Sequence, residues 1–239
     1  LAHEVFPYHS LNHDEGVYLQ QAAMLLDGRL VLEPPVQEAF RPWFFVPDGS
    51  GGFYPKYAPV PAALFAVGGL VGWYRLALGL LAAGTVWLVY ATVTEAVDDR
   101  RVGVAAAALV FASPVFLVQA SVFLPYVPTL FLELTFAWAY LRADRTGSDR
   151  LAALAGAAIG LAFFARPFTA VLFGTPFVGH ALWRLRTLEG PVVRRNLLTA
   201  LLGLGGVALA LGYNAALTGH ALTFPYQAGN AAAPLETSR

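Results

Sequence analysis

Apolar residues dominate the chain from residue 57 to residue 216, while the first 56 residues never supply a long apolar run. A helix that crosses roughly 30 Å of hydrocarbon needs about 20 mostly apolar residues. The opening segment instead contains Pro7, Pro34, Pro35, Pro42, Pro47 and Pro55 with seven acids, and reads as a loop outside the bilayer. Tyr57–Tyr74 is apolar but short, and begins with Pro59 and Pro61. Leu76–Val97 is a full-length candidate span. Val102–Leu141 carries a single charge, Glu133, and is long enough for two spans broken near Pro125–Pro128. Leu151–Ala165 and Phe168–Trp183 are separated by Arg166-Pro167, and Leu197–Ala216 closes the series. The pattern predicts an all-α, polytopic helical membrane protein with about six spans: 76–97, 102–119, 124–141, 151–165, 168–183 and 197–216.

Charge placement gives this bundle a direction. Arg100, Arg101, Arg142, Arg145, Arg150, Arg184, Arg186, Arg194 and Arg195 lie in three short connections that alternate with loops nearly free of positive charge. Basic connections stay cytoplasmic, so the opening loop and the closing segment fall on the outer side. That parity requires Tyr57–Tyr74 not to cross. Flanked by Lys56 and Arg75, it is expected to lie as a juxtamembrane, interfacial or re-entrant helix. The predicted organisation is an outer loop over 1–56, this helix over 57–74, the bundle over 75–216 and an outer segment over 217–239.

Composition agrees. Only 13% of residues are charged against 57% hydrophobic, and mean hydropathy is +0.59, whereas soluble domains carry about 25% charged residues. Fifteen basic residues balance fifteen acidic ones, which gives no electrostatic reason to expect nucleic acid as a partner. With no cysteine, disulfides, thiolate metal sites and cysteine nucleophiles are excluded. The chain opens on Leu1 in a polar stretch and stops soon after a span. We expect it to be a piece of a longer protein that has a further N-terminal span and much more C-terminal sequence.

Candidate chemistry concentrates on the outer side. Asn12 followed by Glu15 resembles a capping box, and Gly28 sits where a helix would end, so residues 13–26 are predicted helical. Asp14 and Tyr18 share a face, while neighbours Asp14 and Glu15 diverge by about 100° and cannot address one atom together. Two acids in a first turn also complement the helix dipole with no further role. Lys56, between Tyr54-Pro55 and Tyr57, has the chemistry to hold a lipid phosphate, or to snorkel in an ordinary aromatic belt. Within the apolar region, Glu133 lies mid-span, where an ionised group is costly and a functional candidate. Arg166 between two spans is a candidate anion contact, and His180 reads as structural. A stretch from Tyr213-Asn214 through Thr218-Gly219 to Phe224-Pro225-Tyr226 leaves the last span on the side of Asp14 and Lys56. His3, His9, His13 and His220 match no specific metal-ligand spacing.

Together these pieces resemble the membrane glycosyltransferases of the GT-C fold, of the protein O-mannosyltransferase and aminoarabinose-transferase type. The resemblance rests on Asp14-Glu15-x-x-Tyr18, Lys56-Tyr57-Ala58-Pro59, Arg75 opening a span, and Tyr213 through Tyr226. It implies a multi-pass cell-membrane enzyme with an extracytoplasmic active site. Its donor would be a polyprenyl-phosphate-linked sugar (dolichyl phosphate in some relatives), and its acceptor a protein or glycolipid. It implies Asp14, and secondarily Glu15, as catalytic acids. Lys56, Arg75 and Arg166 would bind the donor phosphate. Tyr18, Tyr54, Tyr57, Tyr213 and Asn214 would contact substrate. A divalent metal is used by some relatives and not by others, and the residues leave it open. The competing expectation is a transporter or lipid flippase with a midplane site around Glu133 and Arg166.

Overall fold

The computed structural model describes residues 10, 12–34 and 44–232. It is mostly helical, as expected, and its elements run α1 (His13–Leu26), β1 (Phe45–Pro47), β2 (Phe53–Pro55), α2 (Pro59–Gly69), α3 (Arg75–Val97), α4 (Arg100–Phe111), α5 (Pro114–Gln119), α6 (Tyr126–Thr146), α7 (Asp149–Ala165), α8 (Pro167–Arg184), α9 (Gly190–Thr218) and α10 (Pro225–Ala232). The chain packs as two compact units. The first gathers residues up to Leu78, Ser121–Leu124 and the chain from Ala210 onward; the second holds Gly79–Ala120 and Pro125–Leu209.

The expectation of six spans is corrected. Among the described residues two helices are long and apolar enough to cross a membrane, α3 and α9. The reasons are local. The run 102–119 is broken at Ser113-Pro114, where the Ser113 hydroxyl caps the amide of Phe116 at 3.4 Å, so neither α4 nor α5 reaches the required length. Helix α6 carries Glu133 and then Arg142, Asp144 and Arg145 before it ends at the left-handed Gly147. Helix α7 stops at 17 residues because Arg166 leaves the helical region (φ −151, ψ 88) ahead of Pro167.

In the first unit, α1 begins where Asn12 accepts the amide of Asp14 (3.0 Å). The expected reciprocal half of a capping box does not form, because Glu15 is turned into the protein. Gly28 follows the helix at φ +69, as predicted. Helix α1 packs along α2, burying Val17, Tyr18, Gln21, Ala22 and Met24 against Val60, Ala62, Phe65 and Ala66. The segment 57–74 is therefore an 11-residue helix and a tight turn. A Cβ on Gly68 would lie 2.7 Å from the Trp73 carbonyl and 2.8 Å from that of Tyr74, so only glycine permits this reversal. An antiparallel hairpin pairs β1 with β2, Val46 opposite Tyr54, an element the apolar pattern did not predict. Asp48 fastens its turn by accepting from the Ser50 and Gly52 amides and the Ser50 hydroxyl, each at 2.8 Å. These bonds, the Ser50 hydroxyl foremost, hold its carboxyl below the usual range.

In the second unit, α6, α7 and α8 pack around Phe136, Ala139, Tyr140, Ala155 and Ala158, with Phe173 and Phe177. Gly156 and Gly160 on α7 meet Thr199, Gly203 and Gly206 on α9 backbone to backbone. At the basic end, Glu95 pairs with Arg142 (3.1 Å) and Arg145 (2.5 Å), Asp144 with Arg184 (3.0 Å) and Asp149 with Arg194 (2.6 Å).

Candidate functional site

The first unit brings the start of α1, the strand-to-helix joint at 55–58 and the N-terminal part of α10 into one cluster. Asp14, on the first turn of α1, accepts a hydrogen bond from the Tyr57 hydroxyl at 2.7 Å. Tyr18, one turn on, stacks its ring on Tyr57 (centroids 5.0 Å apart, planes within 17°) and meets Phe65 edge-on. Tyr57 in turn stacks on Tyr226 at 6.5 Å. Burial, and then the bond to Asp14, raise the Tyr57 phenol above its ordinary value, so it remains a proton donor to the carboxylate at neutral pH. The second oxygen of Asp14 has no protein partner among the described residues.

Lys56 sits beside this stack. Its ammonium lies 3.9 Å from the centre of the Phe44 ring, 5.2 Å from Tyr226 and 5.3 Å from Tyr57. Three aromatic faces stabilise a cation without supplying a hydrogen-bond acceptor. Among the described residues no carboxylate or carbonyl accepts from Lys56. Helix α10 comes close here because Gly229 has no side chain: a Cβ would stand 3.1 Å from Val46 and 3.4 Å from the Cβ of Lys56.

Gln21 ties three elements together beneath the cluster. Its amide donates to the Tyr57 carbonyl (3.1 Å) and to the Tyr213 hydroxyl (3.4 Å). Glu15 points the other way. It is 1% exposed and accepts from the Ser10 amide (2.8 Å), the Ser10 hydroxyl and the Phe123 amide (2.8 Å). Its carboxylate is a clamp holding the 121–124 segment against α1, and of the two neighbouring acids it is Asp14 that meets the aromatic cluster.

The remaining predicted residues separate. Tyr54 is buried in the hairpin, with its phenol raised by burial and by Asp48. Asn214 is 1% exposed and donates to the Ala221 carbonyl at 3.1 Å, closing the turn after α9. Arg75 opens α3 as expected, in the same unit as Lys56. Arg166 lies in the second unit, over the Tyr126 ring at 4.8 Å. His3 and His9 lie outside the described residues, and among the described ones no three acidic or histidine side chains group as a metal site. His180 bonds the Tyr140 hydroxyl at 3.0 Å within the aromatic core, in keeping with a structural role.

Compared with protein-family models, with curated proteins and with solved structures, the chain matches none. The functional reading therefore rests on these contacts. Sequence reasoning put Gln21 on the helix face of Asp14 and Tyr18, and Tyr226 on the side of Asp14 and Lys56, but gave neither a site role, and it missed Phe44. Gln21 shares the face of Asp14 and Tyr18, which was a usable signal; the approach of Phe44 and Tyr226 to Lys56 has none in local spacing.

Proposed function

We propose that the protein is a multi-pass membrane glycosyltransferase that moves a sugar from a polyprenyl-phosphate donor to an acceptor hydroxyl on the outer face. The observation that carries this is Lys56: an ammonium held by three aromatic faces, with no anionic partner among the described residues, next to the Tyr57 that donates to one oxygen of the Asp14 carboxylate. Lys56 would neutralise the charge that develops on the leaving phosphate, and Arg75 of the same unit would be a second cation. Asp14, oriented by Tyr57, would accept the proton of the attacking hydroxyl as the bond to the anomeric carbon forms and the bond to the phosphate breaks. Tyr57, Tyr18 and Tyr226 provide aromatic surface of the kind on which sugar rings pack.

Membrane embedding is supported by α3 and α9 and by outward apolar side chains that water would not favour, among them Leu109 (74% exposed), Phe168 (88%) and Leu172 (75%). The protein transferase and glycolipid transferase forms of the proposal differ only in the acceptor.

The experiment is sugar transfer from a synthetic polyprenyl-phosphate sugar in detergent or vesicles, with and without chelator. Asp14→Asn is expected to lower kcat by at least about a hundred-fold, the scale of a lost general base. Lys56→Ala is expected to weaken donor use, and Lys56→Arg to restore part of it. Full transfer by Asp14→Asn would remove that residue from the chemistry, and no transfer by the intact chain to any acceptor class would favour a transporter or flippase.

A further inference from the structure

The basic end of the second unit carries more positive charge than its ion pairs use. Four of the nine arginines there are engaged by acids, and these pairs tie the ends of α3, α6, α7, α8 and α9 together. The other five, Arg100, Arg101, Arg150, Arg186 and Arg195, have no acid partner among the described residues. Against them stand Asp99, whose carboxyl caps α4 on the Arg101 amide (2.8 Å), and Glu189.

One of the five stands in a cleft. Helices α7 and α9 touch at Gly156, where an added Cβ would lie 2.5 Å from the Thr199 carbonyl, and the Thr199 hydroxyl donates to the Ala152 carbonyl at 3.0 Å. About one turn nearer the start of α9, these two helices and α6 leave roughly 240 Å³ of empty space, open at its mouth. Tyr140 and Asp144 of α6, Ala152 of α7, and Arg195, Asn196 and Thr199 of α9 line it.

Most of this lining is already committed. The Asp144 carboxylate is paired with Arg184 (3.0 Å), the Tyr140 hydroxyl bonds His180 (3.0 Å), and Thr199 spends its proton on Ala152. Asn196 gives one N–H to the Val192 carbonyl (2.9 Å) and keeps the second. Arg195, half-buried, keeps its whole guanidinium fork, with no acceptor for it among the described residues. What the cleft lacks is therefore an acceptor, and the unpaired charge around it favours an anion. Sites for drug-sized ligands run to about 300–1,000 Å³, so this smaller space takes one compact group. Phosphate fits: it accepts two parallel N–H bonds from a guanidinium and a further one from an amide. Basic connections lie at the cytoplasmic face, whose leaflet carries the anionic lipids that basic pockets between membrane helices hold.

We propose that Arg195 and Asn196 bind the phosphate of an anionic phospholipid in this cleft, the rest of its headgroup staying at the mouth. Arg100, Arg101, Arg150 and Arg186 draw such lipids to the same face. The site lies wholly within the second unit and uses no residue of the Asp14 cluster. It rests on the membrane embedding proposed above and not on sugar transfer.

The purified full chain is placed in nanodiscs of phosphatidylglycerol and phosphatidylcholine in equal parts, and retained lipid is counted by native mass spectrometry. Phosphatidylglycerol is expected to be held over phosphatidylcholine, whose choline cancels the phosphate charge, by about ten-fold or more, the scale of one charge-assisted contact. Arg195→Gln is expected to abolish that preference, and Arg195→Lys, which keeps the charge and loses the fork, to keep part of it. Arg186→Gln, outside the cleft, should still hold the lipid. Excess inorganic phosphate added to the parent chain should leave the lipid in place, an arm that depends on no variant folding. Equal retention of the two lipids, an unchanged preference in Arg195→Gln, or equal losses in Arg195→Gln and Arg186→Gln would overturn the proposal. Displacement by inorganic phosphate would overturn the lipid as its ligand. Failure of the chain to enter nanodiscs would defeat the embedding itself, which none of the outcomes inside a nanodisc does.

Discussion

Replacing Glu15 with glutamine separates structural from chemical use of the acidic pair. The carboxylate accepts three hydrogen bonds, two from Ser10 and one from the buried amide of Phe123. An isosteric amide keeps one oxygen and turns an NH2 toward groups that are themselves donors, so at least one backbone N–H loses its acceptor. Hydrogen bonds to a charged group contribute about 1.5–3 kcal/mol each, and an orphaned buried donor costs about 1–3. The expected loss is therefore about 2 kcal/mol, and about 4 for Glu15→Ala, which removes every acceptor and leaves a void. In a chain of this size, 2 kcal/mol corresponds to a fall in Tm of about 4–8 °C. Scanning calorimetry in detergent micelles reads the shift, and transfer by the folded fraction is measured below the transition. Glu15→Gln should melt early and still transfer; Asp14→Asn, whose amide oxygen can still accept from Tyr57 at a half-exposed position, should melt within a few degrees of the parent and not transfer. A Glu15→Gln protein with unchanged Tm and lost transfer would refute the assignment of Glu15 as a clamp.

Two further outcomes follow from the packing. Gly206→Ala drives a Cβ into the backbone of Gly160, where neither helix has a flexible side chain to move aside, and should cost about 1–3 kcal/mol. Gly205→Ala, whose Cβ meets open space, should be neutral or stabilising, so melting the pair side by side isolates the contact. Tyr57 carries a pH prediction. Its phenol is raised in the folded state, so above the ordinary value of about 10 the unfolded chain releases a proton that the folded chain keeps. Stability should be flat with respect to this group below pH 10 and fall above it. Tyr57→Phe should flatten that fall in a pH series of melting curves; an identical alkaline fall in the variant would contradict the burial and the bond to Asp14.

Helix existence was legible in the apolar pattern, because a run of apolar residues bounded by an Asx cap or a proline has few other ways to satisfy its backbone. The predicted 13–26, 76–97, 151–165 and 168–183 lie within two residues of α1, α3, α7 and α8. Span number was not legible, since hydropathy over 102–119 ignores that Ser113-Pro114 starts a new helix. The association of Asp14 with Lys56 and Tyr57 was anticipated only from resemblance, and its geometry depends on α1 packing along α2. The direction of Glu15 was half available: a 100° divergence from Asp14 follows from helix geometry. Its partner, the Phe123 amide, is brought to it by the fold alone. The hairpin was hidden because its three-residue strands are too short to show alternation, and the aromatic walls of Lys56 because they come from distant stretches of chain.

The cage around Lys56 has a consequence for synthesis. Phe44 and Tyr57 emerge from the ribosome with the lysine, but Tyr226 lies on α10, beyond the last long helix. A nascent chain thus carries an incompletely walled cation until α10 has been made. Stalled or clipped chains ending before Pro225 would retain both long apolar helices and the Asp14–Tyr57 pair while lacking one wall. Completion of α10, and not arrival in the bilayer, would then be the event that closes the cage.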